Sequence, residues 1–88
     1  MPKTKATHVD DIFRELLKDL RLAKNLTQTQ VAERLGMPQS YVSKYETGER
    51  RLDFVETVFV CEALGTNVEE FAASFATRLA KARHSRAK

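Results

Sequence analysis

With 88 residues the chain makes one small domain whose core is modest. Fifteen Lys and Arg against twelve Asp and Glu leave a formal charge of +3, which admits DNA, RNA or an acidic surface as partner without selecting one. The single cysteine, Cys61, excludes an intrachain disulfide and a cysteine metal cluster, the opening MPKTKATHVDD lacks the apolar run of a signal peptide, and no stretch is long and apolar enough to span a membrane, so a cytoplasmic protein is expected.

Residues 1–6 are polar and basic, a flexible N-terminal segment. It reads either as a plain tail or as an arm able to reach a phosphate or a minor groove. Residues 7–82 are expected to form the domain, and residues 83–88 a basic C-terminal tail. Thr7 and Asp10 have the spacing of a capping box, in which a hydroxyl and an acid three residues on satisfy each other's backbone amides. Val9, Ile12, Phe13, Leu16, Leu17 and Leu20 then recur at helical spacing, predicting a first helix from Thr7 to about Lys24. Asn25 marks its break, and Leu26 closes the core.

Thr27 and Gln30 make a second capping box. The short helix that follows carries Val31, Ala32 and Leu35 on one side and ends at Gly36, a residue free to turn left-handed. Pro38 suits the first turn of a third helix, where its missing N–H costs nothing. In that helix Val42 and Tyr45 share a face, while Gln39, Ser40, Ser43 and Lys44 lie elsewhere around the wheel. Thr47-Gly48 stops it. So short a helix is unstable alone and must be held by its neighbours. Its polar residues match what base edges need: Gln pairs with adenine in two bonds, Lys donates to guanine, and Ser does either. An ordinary solvated helix could carry the same residues.

Glu49-Arg50-Arg51-Leu52 is a polar connector, either a solvated loop or a phosphate clamp. Asp53 and Glu56 form a third capping box before a strongly apolar helix containing Phe54, Val55, Val58, Phe59, Ala63 and Leu64, with Cys61 a packed small hydrophobe. Gly65 ends it, and Thr66 with Glu69 gives a fourth box. Val68, Phe71, Ala72, Phe75, Leu79 and Ala82 stripe the last helix. The stripe either packs on the first helix or leaves Phe71, Phe75 and Leu79 partly available to a second copy. From Arg78 onward there are five Lys or Arg and no acid, a charge asymmetry that suggests different jobs for the two ends.

The ordered pattern Leu26-Thr27-Gln28, Val31-Ala32, Leu35-Gly36, Ser40, Val42-Ser43, Tyr45-Glu46, Gly48 and Arg50 resembles the helix-turn-helix family of phage Cro and lambda-type repressors, also called the XRE family. The resemblance implies an all-α, compact five-helix domain with the motif at helices 2 and 3 and an extended last helix. It implies sequence-specific binding of double-stranded DNA by a transcriptional regulator, a repressor more than an activator, acting as a homodimer on palindromic operators. By the same resemblance Gln39, Ser40, Ser43 and Lys44 meet base edges. Gln28, Thr47, Arg50 and Arg51 approach the phosphate backbone, as does Tyr41 from an exposed position. Glu46 is structural, and Ala32 lets the helices pack closely. Pro38 departs from the usual Ser or Thr cap. The rival reading is an antitoxin-like or adaptor protein acting through a protein partner. RNA fits less well, because A-form RNA closes its major groove to side chains. No cofactor or metal is expected, and no enzyme: Cys61 has no visible base, and His8 and His84 sit at opposite ends.

Overall fold

The computed structural model describes residues 5–86, with side chains from His8 to Arg83. Five helices follow in order: α1 Lys5–Ala23, α2 Gln28–Leu35, α3 Gln39–Thr47, α4 Phe54–Ala63 and α5 Val68–Arg86. No strand occurs among the described residues. α2 packs on α3, α1 braces α3 and α5, and α4 fills the space between α2 and α5.

The local signals explain most boundaries. Thr27 Oγ1 accepts from Gln30 N at 3.1 Å and Gln30 Oε1 accepts from Thr27 N at 2.8 Å, so the box that opens α2 is closed in both directions. Asp53 and Glu56 do the same for α4, at 2.7 and 2.9 Å. Gly36, between α2 and α3, takes φ +69°, and Asn25 breaks α1 at φ +57°.

Three boundaries differ from the sequence pattern. α1 begins at Lys5, so Lys5 and Ala6 are helical and Thr7 lies inside the first turn rather than at the cap. Lys and Ala are both good helix formers and extend the helix backwards. Residues 1–4 of the segment read as a tail or an arm lie outside the described residues, as do residues 87–88. At the start of α5 the cap is Asn67, whose Oδ1 accepts from Glu70 N at 2.8 Å, and not Thr66. Thr66 is still closing α4: its N–H donates to the Cys61 carbonyl at 3.0 Å, and its hydroxyl reaches Glu70. α5 also continues to Arg86, four residues past the expected end of the domain.

The core gathers Leu16 and Leu17 of α1, Val31 and Ala32 of α2, Tyr41, Val42 and Tyr45 of α3, Val60 and Cys61 of α4, Leu64 just after it, and Phe71 of α5. Phe71 is buried against the edge of Phe13, centroids 5.5 Å apart, and stacks on Phe75. Of the two alternatives for this stripe, Phe71 takes the packing on α1; Phe75 and Leu79 are half-buried. Burial of the α5 stripe on α1 is reinforced by an ion pair from Arg78 to Asp19 at 2.9 Å. α4 is divided between core and surface. It sends Thr57, Val60 and Cys61 inward, while Phe54, Val55 and Phe59, part of its apolar run, face solvent.

Candidate nucleic-acid interface

The motif's two helices are locked by a small side chain and a left-handed turn. Ala32 is buried where α2 meets α3, and the Met37 amide donates back to its carbonyl at 2.9 Å. On α3, Val42 and Tyr45 anchor the inner side. Gln39, Ser40 and Lys44 are exposed, and Ser43 is half-buried beside them. The polar edge expected to face outward does so. Pro38 is the residue before α3, at φ −69° and ψ 155°, and supplies no side-chain hydrogen bond, so the helix start has no side-chain cap.

A chain of hydrogen bonds runs from the core to that edge. Arg21 of α1 donates to Glu46 of α3 through Nε at 2.8 Å and Nη2 at 3.1 Å, and through Nη1 to the Leu26 carbonyl at 2.9 Å. The two charged side chains are 9% and 4% exposed, so water screens their attraction weakly. The bond to Glu46 raises the Arg21 pKa and keeps the guanidinium charged. Glu46 Oε1 also accepts from Gln28 Nε2 at 2.9 Å. Gln28 Oε1 in turn accepts from Gln39 Nε2 at 2.7 Å. Each link uses one hydrogen of the amide it passes through. Gln39 therefore keeps one N–H and its carbonyl oxygen for another partner, and Gln28 keeps one N–H.

The family resemblance implied a structural role for Glu46, which fits this network, but neither it nor the apolar spacing singled out Arg21. The signal was present: Phe13, Leu17 and Arg21 are four apart on one line, so a charge continues an apolar stripe. Such a residue needs a buried partner, and Glu46 lies 25 positions away.

The connector after α3 carries a half-buried and an exposed arginine, each paired with a carboxylate. Arg50 donates to Glu56 Oε2 at 2.7 Å and to the Arg51 carbonyl at 3.0 Å, and its guanidinium lies 4.8 Å above the Tyr41 ring. Arg51 has an 81% exposed side chain, tethered to Asp10 at 3.1 Å. Thr47 is exposed at the end of α3, its hydroxyl donating to the Lys44 carbonyl. Tyr41 is not on the exposed side. Its ring is buried edge-on to Tyr45, centroids 5.7 Å apart, beneath Arg50, and burial raises its pKa. A tyrosine ring is largely apolar, and Val42-Tyr45 packing leaves a niche for it that a small residue would not fill.

A hollow of about 230 Å³ lies between α1, this connector and α5. Its three arginines, Arg14, Arg50 and Arg51, are each paired with a carboxylate, of Asp11, Glu56 and Asp10. Among the described residues no cluster of His, Cys, Asp or Glu could hold a metal ion, and no helix is long and apolar enough to cross a membrane. Burial pushes the Cys61 thiol up to about 11, which leaves it protonated and inert at neutral pH.

The model of the family described as Helix-turn-helix (HTH_3) matches residues 17–71, which contain α2, α3, α4 and the Arg21–Glu46 pair. The chain belongs to this family. Its type is XRE, Cro- and lambda-repressor-like. It is similar to an uncharacterised HTH-type transcriptional regulator of Rickettsia prowazekii (strain Madrid E), with 32% identity over 63 residues, 72% of this chain and 48% of that protein. The chain spans about half the length of the curated relatives it matches. Among solved structures, an XRE-family like protein from Pseudomonas syringae pv. tomato str. DC3000 is 36% identical, covers 83% of this chain and 89% of its own, and superposes with a TM-score of 0.78. The clp gene regulator ClgR from Corynebacterium glutamicum is 25% identical, with 90% and 88% covered and a TM-score of 0.67.

Proposed function

We propose that the protein binds double-stranded DNA at specific sequences and regulates transcription, as a repressor in preference to an activator. The observation that carries the reading is Gln39. Its amide is steadied by Gln28 yet keeps one N–H and one carbonyl oxygen outward at the start of α3. That is the donor and acceptor pair that adenine N7 and N6 require in a major groove. Ser40, Ser43 and Lys44 continue the same edge and supply the remaining base contacts. Gln28, Thr47, Arg50 and Arg51 approach phosphates, with Arg51 the more available of the two arginines because Glu56 and Tyr41 occupy Arg50. The uncapped start of α3 adds backbone amides and the positive end of a helix. A domain this size reads only a few base pairs, so a homodimer on a palindrome, with half-sites about 34–36 Å apart, supplies the rest of the specificity. The names of the relatives, HTH-type transcriptional regulator and clp gene regulator, support the same reading.

The test contrasts two cations by fluorescence anisotropy on a duplex and its single-base variants. Lys44→Ala costs about 1–3 kcal/mol at particular base pairs and relaxes preference there, whereas Arg51→Ala weakens every duplex alike and lowers the salt slope by about one. Equal losses on all duplexes for Lys44→Ala would remove α3 from the reading role.

A further inference from the structure

The hollow between α1, the connector and α5 lies apart from the base-reading edge of α3, and its walls are of two kinds. Val9 and Phe13 of α1, Tyr45 of α3, Leu52 of the connector and Phe75 of α5 make one side apolar. The guanidinium groups of Arg14, Arg50 and Arg51 make the other, beside one lining carboxylate, that of Asp10. Asp11 and Glu56 hold Arg14 and Arg50 but do not line the hollow. The wall that an entering molecule meets is therefore cationic, although every arginine has its carboxylate.

The arginines are positioned rather than loose. Gly48 leaves the room that Arg14 occupies, since a Cβ on Gly48 would stand 2.9 Å from Arg14 Cζ. The Arg14 side chain is 25% exposed, so its charge is partly desolvated, whereas Arg51 reaches into solvent from its pairing with Asp10. A guanidinium carries more N–H donors than one such pairing uses, so each arginine can take a further acceptor. On the apolar side Phe13 and Phe75 stand edge to face, centroids 6.1 Å apart, and present ring surface to a third ring.

We propose that this hollow binds a small aromatic carboxylate, its ring on the apolar side and its carboxylate on the arginines, and that the bound anion weakens binding of DNA. The second half rests on the DNA reading above; the first does not. Size sets one limit. A void of about 150 Å³ takes up benzene, so a hollow of about 230 Å³ holds one ring with a carboxylate on a short linker. Charge sets the other. A carboxylate accepts two parallel N–H bonds from one guanidinium, which a neutral head of the same shape cannot match. Arg51 couples the two ligands. It is the exposed arginine assigned above to the phosphate backbone, and it lines the hollow as well. An anion seated beside it neutralises the charge that a phosphate would meet. Ligand and DNA then oppose each other, and each lowers the other's affinity by the same factor.

Titration of the isotope-labelled full chain with phenylacetate at neutral pH and fixed ionic strength, followed by amide NMR shifts, tests the site without DNA. The wild type saturates with a Kd of about 0.1–1 mM, as suits so small a ligand, and the shifted amides gather at Phe13, Gly48, Leu52 and Phe75. Phenylacetamide, the same shape without the charge, and acetate, the charge without the ring, bind about tenfold more weakly or worse. Arg14→Gln and Arg51→Gln keep the helical circular dichroism and weaken phenylacetate about tenfold. Lys18→Gln removes the same charge from an exposed position of α1 outside the hollow and binds as wild type does. No saturation by about 10 mM, phenylacetamide binding as tightly as phenylacetate, or both arginine variants titrating as wild type overturns the site. Anisotropy on a preferred duplex reads the coupling. Saturating phenylacetate lowers duplex affinity about tenfold relative to equal acetate, and Arg51→Gln loses this effect. A duplex affinity that phenylacetate leaves unchanged overturns the coupling. A wild type that binds no duplex defeats the DNA reading and the coupling with it, while the phenylacetate titration still decides the site.

Discussion

Glu46→Ala is the substitution from which the arrangement has most to lose. It takes the acceptor from two Arg21 bonds and from Gln28 Nε2, and leaves a guanidinium whose residue is 8% exposed without its counter-charge. Breaking a buried ion pair from one side costs about 3–5 kcal/mol. For a domain of this size the total stability is about 5–10 kcal/mol, so the variant loses a large share of it and melts roughly 15–30 °C lower. The double variant Arg21→Met, Glu46→Leu removes both charges and restores packing. It recovers most of the loss, retaining a deficit of about 1 kcal/mol because the Leu26 carbonyl is left without Arg21 Nη1. Urea unfolding followed by far-ultraviolet circular dichroism measures all three proteins. A second readout separates folding from positioning. In the double variant Gln28 has lost Glu46, so the amide that steadies Gln39 is itself no longer anchored to the core, and affinity for a preferred duplex falls even though the fold is restored. Glu46→Ala costing under about 1 kcal/mol, or a double variant as unstable as the single, would refute the reasoning that the pair is buried and mutually compensating.

Phe71→Ala removes a buried ring and its contacts with Phe13 and Phe75, and loses about 3–5 kcal/mol by urea unfolding; a loss under about 1 kcal/mol would mean that α5 is not seated on α1. Asp53→Ala deletes the acceptor for Glu56 N at the start of α4 and costs about 1 kcal/mol, read from the same unfolding curves. Stability also falls at high pH. Folding raises the Cys61 thiol from 9.0 to about 11, so between those values the unfolded chain has released a proton that the folded chain still holds, and the urea midpoint drops as pH rises. Burial raises Tyr45 above its ordinary 10.0 and extends the loss upward, so Cys61→Ala flattens the first part of the decline and leaves the second.

What the sequence revealed and what it hid divide by distance along the chain. The limits of α2 and α3 were legible because each is marked by residues within four positions of it: the Thr27–Gln30 box, Gly36, and Gly48 at φ +91°. Where two capping residues stood side by side, as Thr66 and Asn67 do, local spacing could not choose, and the closing turn of α4 decided. The facing of α4 was hidden for a different reason. With apolar residues all round, its periodicity does not say which side meets α2 and α5. At the candidate site, the outward edge of Gln39, Ser40 and Lys44 followed from the inward pull of Val42 and Tyr45. The bonds that steady that edge did not, because Arg21, Gln28, Gln39 and Glu46 come from three helices and meet only once the core has formed. Tyr41 sat between those two outcomes, since a ring with a hydroxyl fits either a surface or a niche, and Arg50 closing over it settled the matter.

The most direct measurement of the central claim is selection of bound duplexes from a random pool with the purified wild-type protein and with Gln39→Ala. The account predicts that the wild type enriches an inverted repeat with half-sites about one helical turn apart, and that Gln39→Ala still enriches a repeat but loses its preference for adenine at one position in each half. A wild-type pool without a shared motif, or a Gln39→Ala pool with the wild-type motif unchanged, would contradict it.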